Sequence, residues 1–216
     1  MGVVPGPAVL ARGPWNAEQV RTRWRKEEFS PPAAATAIAD AELDALRERG
    51  SPTHDGLSAR MASFEAAPDR LELELEPVRW SLRLAAEGAE GLSALCVVRD
   101  AQGRWLAGRR AGWVASWPGR WALGAGGAVD LDESPAQTLS RELDEEWSVA
   151  AQRLTVEALV RLPSDLVLLV GMARLAAGVE VTIDPEHDAY AWWPAEVDAW
   201  PAEADEPLRL MASLLA

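Results

Sequence analysis

The order of patterns along the chain predicts an α/β fold in which a mixed β-sheet is covered by helices on both faces. Two observations favour this class. Strand patterns and helix patterns are interleaved along the sequence, and hairpin-like strand pairs occur together with a crossing from a strand to a helix. A fold made only of strands or only of helices would leave one of these patterns unexplained.

The size and charge of the chain restrict the partners it can bind. Of its 216 residues, 49% are apolar and 25% are charged, which predicts one core domain with an extension. The formal net charge of −13 disfavours a nucleic acid polymer as partner, because such binding depends on clustered Lys and Arg. A small phosphorylated ligand remains compatible with this charge if a metal ion bridges the two.

The single cysteine and the hydropathy pattern bear on the compartment. Cys96 has no second cysteine for an intrachain disulfide and lies in an apolar run, so we expect a buried thiol in reducing surroundings. No apolar stretch reaches membrane-spanning length, and the segment over 1–15 lacks the basic head of a targeting sequence. The sequence therefore predicts a cytoplasmic protein without membrane contact.

The first part of the chain predicts helices, loops and one alternating strand. Up to about residue 66 we expect loops and helices, among them a charged segment over 15–29 and a helix within 31–50. The residues expected on the apolar face of that helix are Ala37, Ala41, Leu43 and Leu46. Leucine then alternates with glutamate over 71–76, which predicts a half-buried strand, and the alternation continues through 80–84.

From about residue 91 the sequence predicts the sheet and the helices that cover it. Apolar runs over 92–99 and 104–110 predict a hairpin, and a Trp- and Gly-rich loop leads to a helix that begins at Ser134 and Pro135. The remaining predicted elements are strands over 154–162, 166–175, 179–183 and 189–193 and an amphipathic helix over 206–216.

The segment GGAVDLDESPAQTLSRELDEEW concentrates acidic side chains toward the end of this predicted helix. Glu142, Glu145 and Glu146 fall at i, i+3 and i+4, so they share one face and repel one another. Such a face is either simply solvated or occupied by a cation. Carboxylates beside a loop that contains Gly126 and Gly127 form an oxygen-rich site of the kind that Mg²⁺ prefers, which favours the cation.

The same segment resembles the signature of the Nudix hydrolases, G-x5-E-x7-R-E-U-x-E-E-x-G-U, in which U is an aliphatic residue. The matching residues are Gly127, Glu133, Arg141, Glu142, Leu143, Glu145, Glu146 and Val149. Ser148 stands where the family has glycine, which bears on the exit of the helix and not on the ligands. The resemblance implies a Nudix-type α/β/α sandwich with a mixed sheet over 89–216, preceded by an N-terminal helix-and-strand extension of unknown role over 1–88.

The resemblance also implies roles for the polar residues of the signature. Four groups are expected to bind Mg²⁺, or Mn²⁺ in its place: the Gly126 carbonyl and the carboxylates of Glu142, Glu146 and, directly or through water, Glu145. Glu133 and Arg141 are expected to orient those ligands, and Arg141 lies four residues before Glu145, close enough to pair with it.

Residues outside the signature supply further candidates. Basic residues in this family often lie near substrate phosphates, and the expected substrate-binding residues are Arg109, Arg110 and Arg120. A carboxylate beyond the helix sometimes serves as the general base, so Glu186 is a candidate for that role beside Glu145. We expect His187 to be a structural or surface histidine.

The resemblance implies an Mg²⁺-dependent hydrolase that cleaves a diphosphate linkage in a nucleoside diphosphate derivative or a similar small phosphorylated substrate. A Nudix domain that senses a nucleotide without turnover is the alternative. An enzyme like isopentenyl diphosphate isomerase is less favoured, because the only cysteine lies in a predicted buried strand. The role of the extension stays open, and a homodimer is compatible with the sequence.

Overall fold

Two β-sheets and three α-helices make up the described part of the chain, which comprises residues 7–51, 55–85 and 91–215 of a computed structural model. The strands are β1 Ala8–Trp15, β2 Val20–Trp24, β3 Leu57–Ala67, β4 Arg70–Arg79, β5 Leu92–Arg99, β6 Trp105–Arg110, β7 Trp121–Leu123, β8 Ala125–Ala128, β9 Arg153–Arg161, β10 Val167–Arg174 and β11 His187–Trp193. The helices are α1 Ala33–Glu48, α2 Pro135–Trp147 and α3 Glu206–Leu215. Among the described residues, none of the helices is long and apolar enough to cross a bilayer.

Eight strands form one mixed sheet in the order β1-β9-β10-β5-β6-β11, in which β8 also pairs with β5 and β7 with β6. β5 and β10 run parallel, whereas the other pairs of this sheet are antiparallel. Parallel neighbours need a long connection, and α2 lies in the chain between these two strands. This is the strand-to-helix crossing that the sequence predicts.

The sheet is buried on both faces, because its residues alternate between two cores. Along β10, Leu169 packs in the core that contains Leu139 of α2, whereas Val170 packs in the core that contains Met211 of α3. One helix therefore lies on each face of the sheet. The predicted α/β/α sandwich with a mixed sheet is confirmed.

The extension adds a second, smaller sheet on the face that α2 covers. Its strand order is β2-β4-β3, and Leu71, Leu73 and Leu75 of β4 belong to the same core as Leu139 and Leu143 of α2. β1 instead joins the large sheet, at its edge beside β9. The predicted boundary at residue 88 lies outside the described residues and stays a prediction.

α1 packs against the 3₁₀ helix Trp80–Leu84, which follows β4. The buried residues of α1 are Ala35, Ala39, Leu43 and Leu46. Leu43 and Leu46 were expected on this face, but the prediction for Ala37 and Ala41 is wrong, because both are exposed. The helix buries the alanines that precede Leu43 by four and eight residues, which the helical repeat places on one stripe.

The secondary structure of the extension differs from the sequence prediction in four places, the first of which is β1, where loops and helices were expected. The segment over 15–29 contains β2, and the region before residue 66 contains most of β3, where loops and helices were expected. Both strands pair with β4, so that strand orders its neighbours. The predicted alternation over 80–84 is also wrong, because these residues form a 3₁₀ helix that packs on α1.

The predicted strand over 179–183 is also wrong, since none of these residues is in a strand. The backbone N–H groups of Thr182 and Asp184 donate to the carbonyls of Trp147 and Glu146, at 3.0 and 3.1 Å. Carbonyls in the last turn of a helix have no partner within the helix, so this segment satisfies them. The pairing also brings the chain that follows Asp184 to the acidic end of α2.

Both ends of α2 follow from local sequence. Ser134 is the N-cap, and it forms a capping box with Gln137, as the side chain of each accepts a hydrogen bond from the backbone N–H of the other. At the other end Ser148 adopts a left-handed conformation with φ of 54°, where the family signature has glycine. The Cβ of serine makes this conformation unfavourable.

We expect Ser148→Gly to raise the free energy of unfolding by roughly 0.5–1 kcal/mol, because glycine adopts φ > 0 without steric cost. Urea denaturation measures the change. The matched control is Ser140→Gly in the interior of the same helix, where Ser140 is exposed and glycine lowers stability. If both substitutions lowered stability, the left-handed position of Ser148 would not be a source of strain.

Candidate active site

Four parts of the fold bring the polar residues of the signature together. α2 carries the acidic residues, and β8 passes beside it with Gly126 and Gly127. β6 ends at Arg110, and the segment before β11 carries Glu186. Arg110 and Glu186 meet because Ala111 donates its backbone N–H to the Glu186 carbonyl at 2.7 Å.

Arg141 is the centre of a network that fixes one side of the site. Its Nε and Nη2 donate to the two carboxylate oxygens of Glu133, at 3.0 and 3.1 Å, and Nη2 also donates to the Ala128 carbonyl at 3.2 Å. Its Nη1 lies 2.8 Å from Oε1 of Glu142 and 2.9 Å from Oε2 of Glu145. Arg141 therefore connects the acidic face of α2 to Glu133 and to the end of β8.

Glu133 is ionised by the same network. Burial by itself would raise the pKa of Glu133, but hydrogen bonds from Arg141 and from the Thr138 hydroxyl, the latter at 2.7 Å, outweigh it and lower the pKa. Burial would also lower the pKa of Arg141, yet its carboxylate partners raise it. The ion pair of Arg141 and Glu133 can therefore hold neighbouring side chains in position.

Glu142 and Glu146 are buried carboxylates, with only 8% and 5% of their surfaces exposed. Burial raises the pKa of Glu142 to about 7, and the charge of Glu145 adds to this while Arg141 opposes it. Burial also raises the pKa of Glu146 well above its ordinary value, against the charge of Arg110 and a 3.3 Å hydrogen bond from the backbone N–H of Gly126. These groups are held where ionisation is unfavourable without a further cation.

The donor set fits a hard divalent cation. Glu142 and Glu145 each contact Arg141 through one carboxylate oxygen, and the described contacts leave the other oxygen of each free. Glu145 is the exposed member of the trio, and Glu146 lies beside Gly126. Within the described residues, no three Asp, Glu, His or Cys side chains lie in positions that could together hold a metal ion.

Gly127 provides the space for Glu142. A Cβ at residue 127 would lie 2.6 Å from the carboxylate carbon of Glu142, closer than side-chain carbons approach one another. The signature glycine thus allows the Glu142 carboxylate to lie against the backbone of β8.

We expect Gly127→Ala to weaken Mn²⁺ binding by about tenfold or more, because the methyl group displaces the Glu142 carboxylate. Isothermal titration calorimetry measures the affinity, and circular dichroism checks the fold. Gly112→Ala is the matched control, since a Cβ there meets no atom within 4 Å. Unchanged Mn²⁺ affinity in a folded Gly127→Ala variant would contradict the placement of Glu142 in the metal site.

The three arginines that were expected to bind substrate differ in their contacts. Arg110 lies at the site, where it donates to Glu186 at 2.9 Å and lies 3.8 Å from Glu146. Arg109 pairs with exposed Asp188 at 2.6 Å, and Arg120 pairs with Asp205, the residue before α3. Of the three, Arg110 is the one that contacts the carboxylates of the signature.

His187 and Asp184 lie beside the acidic end of α2, which no local sequence pattern indicated. His187 is buried, its ring lies 4.8 Å from that of Trp147, and Nδ1 is 3.0 Å from Asp184. Its Nε2 lies 3.9 Å from Oε2 of Glu146. Burial lowers the pKa of His187, with Arg110 acting in the same direction and Asp184 against it. A neutral ring that donates Nδ1–H to Asp184 directs the Nε2 lone pair toward Glu146.

Residues 89–211 match the family model described as the NUDIX domain. Because this span is more than half of the chain, the chain belongs to the Nudix family. The match confirms the family predicted from the signature and, with it, the class of enzyme, a Nudix-type pyrophosphohydrolase.

Solved structures of Nudix proteins are similar to part of the chain. A MutT NUDIX hydrolase from Burkholderia pseudomallei is 23% identical with a TM-score of 0.47, over 58% of this chain and 98% of that chain. For an Ap4A hydrolase from C. elegans the identity is 21% and the TM-score 0.43, over 57% and 97%. For the NUDIX domain of Shewanella oneidensis NrtR, solved with ADP ribose, these values are 23% and 0.43, over 59% and 89%. No curated protein matches the chain significantly.

Proposed function

We propose that the protein is an Mg²⁺-dependent hydrolase that cleaves a diphosphate linkage in a nucleoside diphosphate derivative or a similar small substrate. The observation that carries the proposal is the burial of Glu142 and Glu146 beside Glu145, on a helix that matches the signature. In their ionised form, such buried carboxylates are favourable only if a cation neutralises them, and without a cation they bind a proton instead. A cation held there also allows a protein of net charge −13 to bind a polyanion.

Glu142, Glu146, Glu145 and the Gly126 carbonyl would hold the ion. When bound, Mg²⁺, or Mn²⁺ in its place, polarises phosphate oxygens and lowers the pKa of a bound water. Arg141 and Glu133 keep the ligands in position, through the contacts that connect α2 with Ala128. The loss of such a support typically costs about 10- to 100-fold in metal affinity or activity.

The remaining residues would bind substrate and move a proton. Glu145 and Glu186 are the candidates for the base that removes a proton from the attacking water. Arg110 donates to Glu186 and so fixes the orientation of that carboxylate. Arg109, Arg110 and Arg120 stay the proposed phosphate-binding arginines, and Arg110 has the strongest support because it lies beside Glu146.

A panel of nucleoside diphosphate derivatives, nucleoside triphosphates and dinucleoside polyphosphates tests the proposal. The full chain is incubated with each compound in Mg²⁺ or in EDTA, and the products are separated by chromatography. We expect hydrolysis of at least one diphosphate in Mg²⁺ and none in EDTA. Tight binding of a compound with turnover of none would replace the hydrolase by a nucleotide-sensing domain.

An isomerase mechanism receives no support from Cys96. The thiol is buried in β5, and burial raises its pKa to about 12. It therefore stays protonated and out of contact with solvent at neutral pH. The cytoplasmic location and a homodimer stay predictions.

A further inference from the structure

The extension places an arginine that has no hydrogen-bond or ion-pair partner near Glu142 of α2. Arg83 is the third residue of the 3₁₀ helix Trp80–Leu84 and is partly buried. Of the described arginines that are not exposed, it alone has neither a hydrogen bond nor an ion pair. Its guanidinium carbon lies 5.5 Å from the centre of the Trp80 ring, a cation–π contact that supplies no anion to neutralise the charge.

The backbone that carries Arg83 is held firmly. The side chain of Asp55 accepts a 2.9 Å hydrogen bond from the Ser81 backbone N–H and is also paired with Arg79. The Trp80 N–H donates to the Gly56 carbonyl at 2.8 Å, which joins the 3₁₀ helix to the start of β3. Ser81 and Leu82 are fully buried. The hydrogen bonds of Trp80 and Ser81, together with the burial of Ser81 and Leu82, therefore fix the backbone position of Arg83.

β3 attaches this part of the extension to the loop that leads into α2. Ala59 donates its N–H to the Val129 carbonyl at 2.8 Å, and Ser58 forms a bridge with Asp130. Arg60 forms a second bridge with Gly91, at the start of β5. Val129 and Asp130 lie two and three residues beyond Gly127 along the chain, so the extension is docked at the edge of the active site.

The charges that Arg83 experiences are those of the active site. Burial lowers its pKa, Glu142 opposes this effect and Arg110 adds to it. Glu142 does not neutralise Arg83, because the ion-pair contact that Glu142 makes is with Arg141. An arginine remains charged in proteins, so a partly buried guanidinium without a carboxylate is costly unless an anion reaches it. The substrate is the anion that the proposed function brings to this place.

We propose that Arg83 binds a non-bridging phosphate oxygen of the diphosphate substrate, so that the extension completes the substrate site of the Nudix domain. The inference rests on the proposed function for the substrate class. A planar guanidinium suits phosphate oxygens, since it offers two parallel N–H donors. On this view Arg110 and Arg83 approach the diphosphate from the large sheet and from the extension, respectively.

Binding of imidodiphosphate, a diphosphate analogue with a P–N–P link, tests this role in the full chain. Calorimetry in Mg²⁺ compares wild type with Arg83→Met and with Arg21→Met, a control on β2 where the arginine is exposed. We expect Arg83→Met to weaken binding by about tenfold or more, the usual effect of losing a charged hydrogen bond, and Arg21→Met to leave it unchanged. Mn²⁺ affinity should be equal in all three proteins, and KM for a hydrolysed substrate should rise in Arg83→Met.

The possible results separate the two proposals. Wild type that hydrolyses a diphosphate, with imidodiphosphate binding unchanged in Arg83→Met, overturns the role of Arg83 alone. Wild type that neither binds imidodiphosphate nor hydrolyses any diphosphate overturns both. If Arg83→Met does not fold, Arg83→Gln is measured instead, and its equal binding likewise overturns the role. Loss of Mn²⁺ affinity together with diphosphate binding would show that Arg83 acts only by supporting Glu142.

Discussion

Glu146→Gln is expected to reduce Mg²⁺-dependent hydrolysis at least about a hundredfold while the protein stays folded. The amide keeps the size of the buried side chain but removes the charge that holds the cation. The same change is expected to stabilise the metal-free protein, because burial opposes ionisation of Glu146 in that state. Steady-state kinetics and urea denaturation in EDTA measure the two effects.

Asp144→Asn is the matched control for this substitution. Asp144 lies on the same helix, two residues away, and is exposed. The control should change neither hydrolysis nor stability in EDTA by a substantial amount. Full activity of a well-folded Glu146→Gln protein would remove Glu146 from the metal site, whatever the result of the stability measurement.

Without metal, the protein is expected to lose stability as the pH rises from 5 to 8, and Glu142 should account for about 2 kcal/mol of this loss. The folded-state pKa of Glu142 is raised from 4.5 to about 7, so the folded state binds more protons than the unfolded state in this range. Its contribution is complete below 4.5 and is lost as the pH rises through about 7. Urea denaturation in EDTA at several pH values measures the loss.

Comparison with Glu142→Gln isolates this contribution. His187 acts in the opposite direction, because its lowered pKa favours the folded state above the ordinary histidine range, and this effect is common to both proteins. Mg²⁺ should restore stability at pH 8 and have little effect at pH 5, since the cation binds the deprotonated carboxylates. Parallel pH curves for the two proteins would contradict a buried, proton-binding Glu142.

Strands of both sheets could be predicted where the sequence has long apolar runs or clear alternation. β4, β5, β9 and β10 have such patterns, and α2 has explicit capping residues. β3 has four Ala and two Ser among its 11 residues, which give a weak strand signal, and its pairing with β4 decides its conformation. The segment over 179–183 shows the reverse case, because its strand-like sequence bonds to the end of α2 instead.

The candidate site likewise has contacts that could be predicted from the sequence and contacts that could not. The helical repeat alone places Glu142, Glu145 and Glu146 on one face, and the spacing of four residues predicts the pair of Arg141 with Glu145 that the structure contains. Contacts between distant segments, such as that of Arg110 with Glu186, depend on how β6 and β11 pair. No local pattern in the sequence could have indicated these contacts.

The position of β1 has a practical consequence for handling this protein. β1 covers one side of β9, so a shortened chain that begins near residue 89 would leave the backbone of β9 unpaired along that side. Exposed strand backbone promotes association between copies. Expression of the Nudix domain should therefore retain β1 or shield β9 in another way.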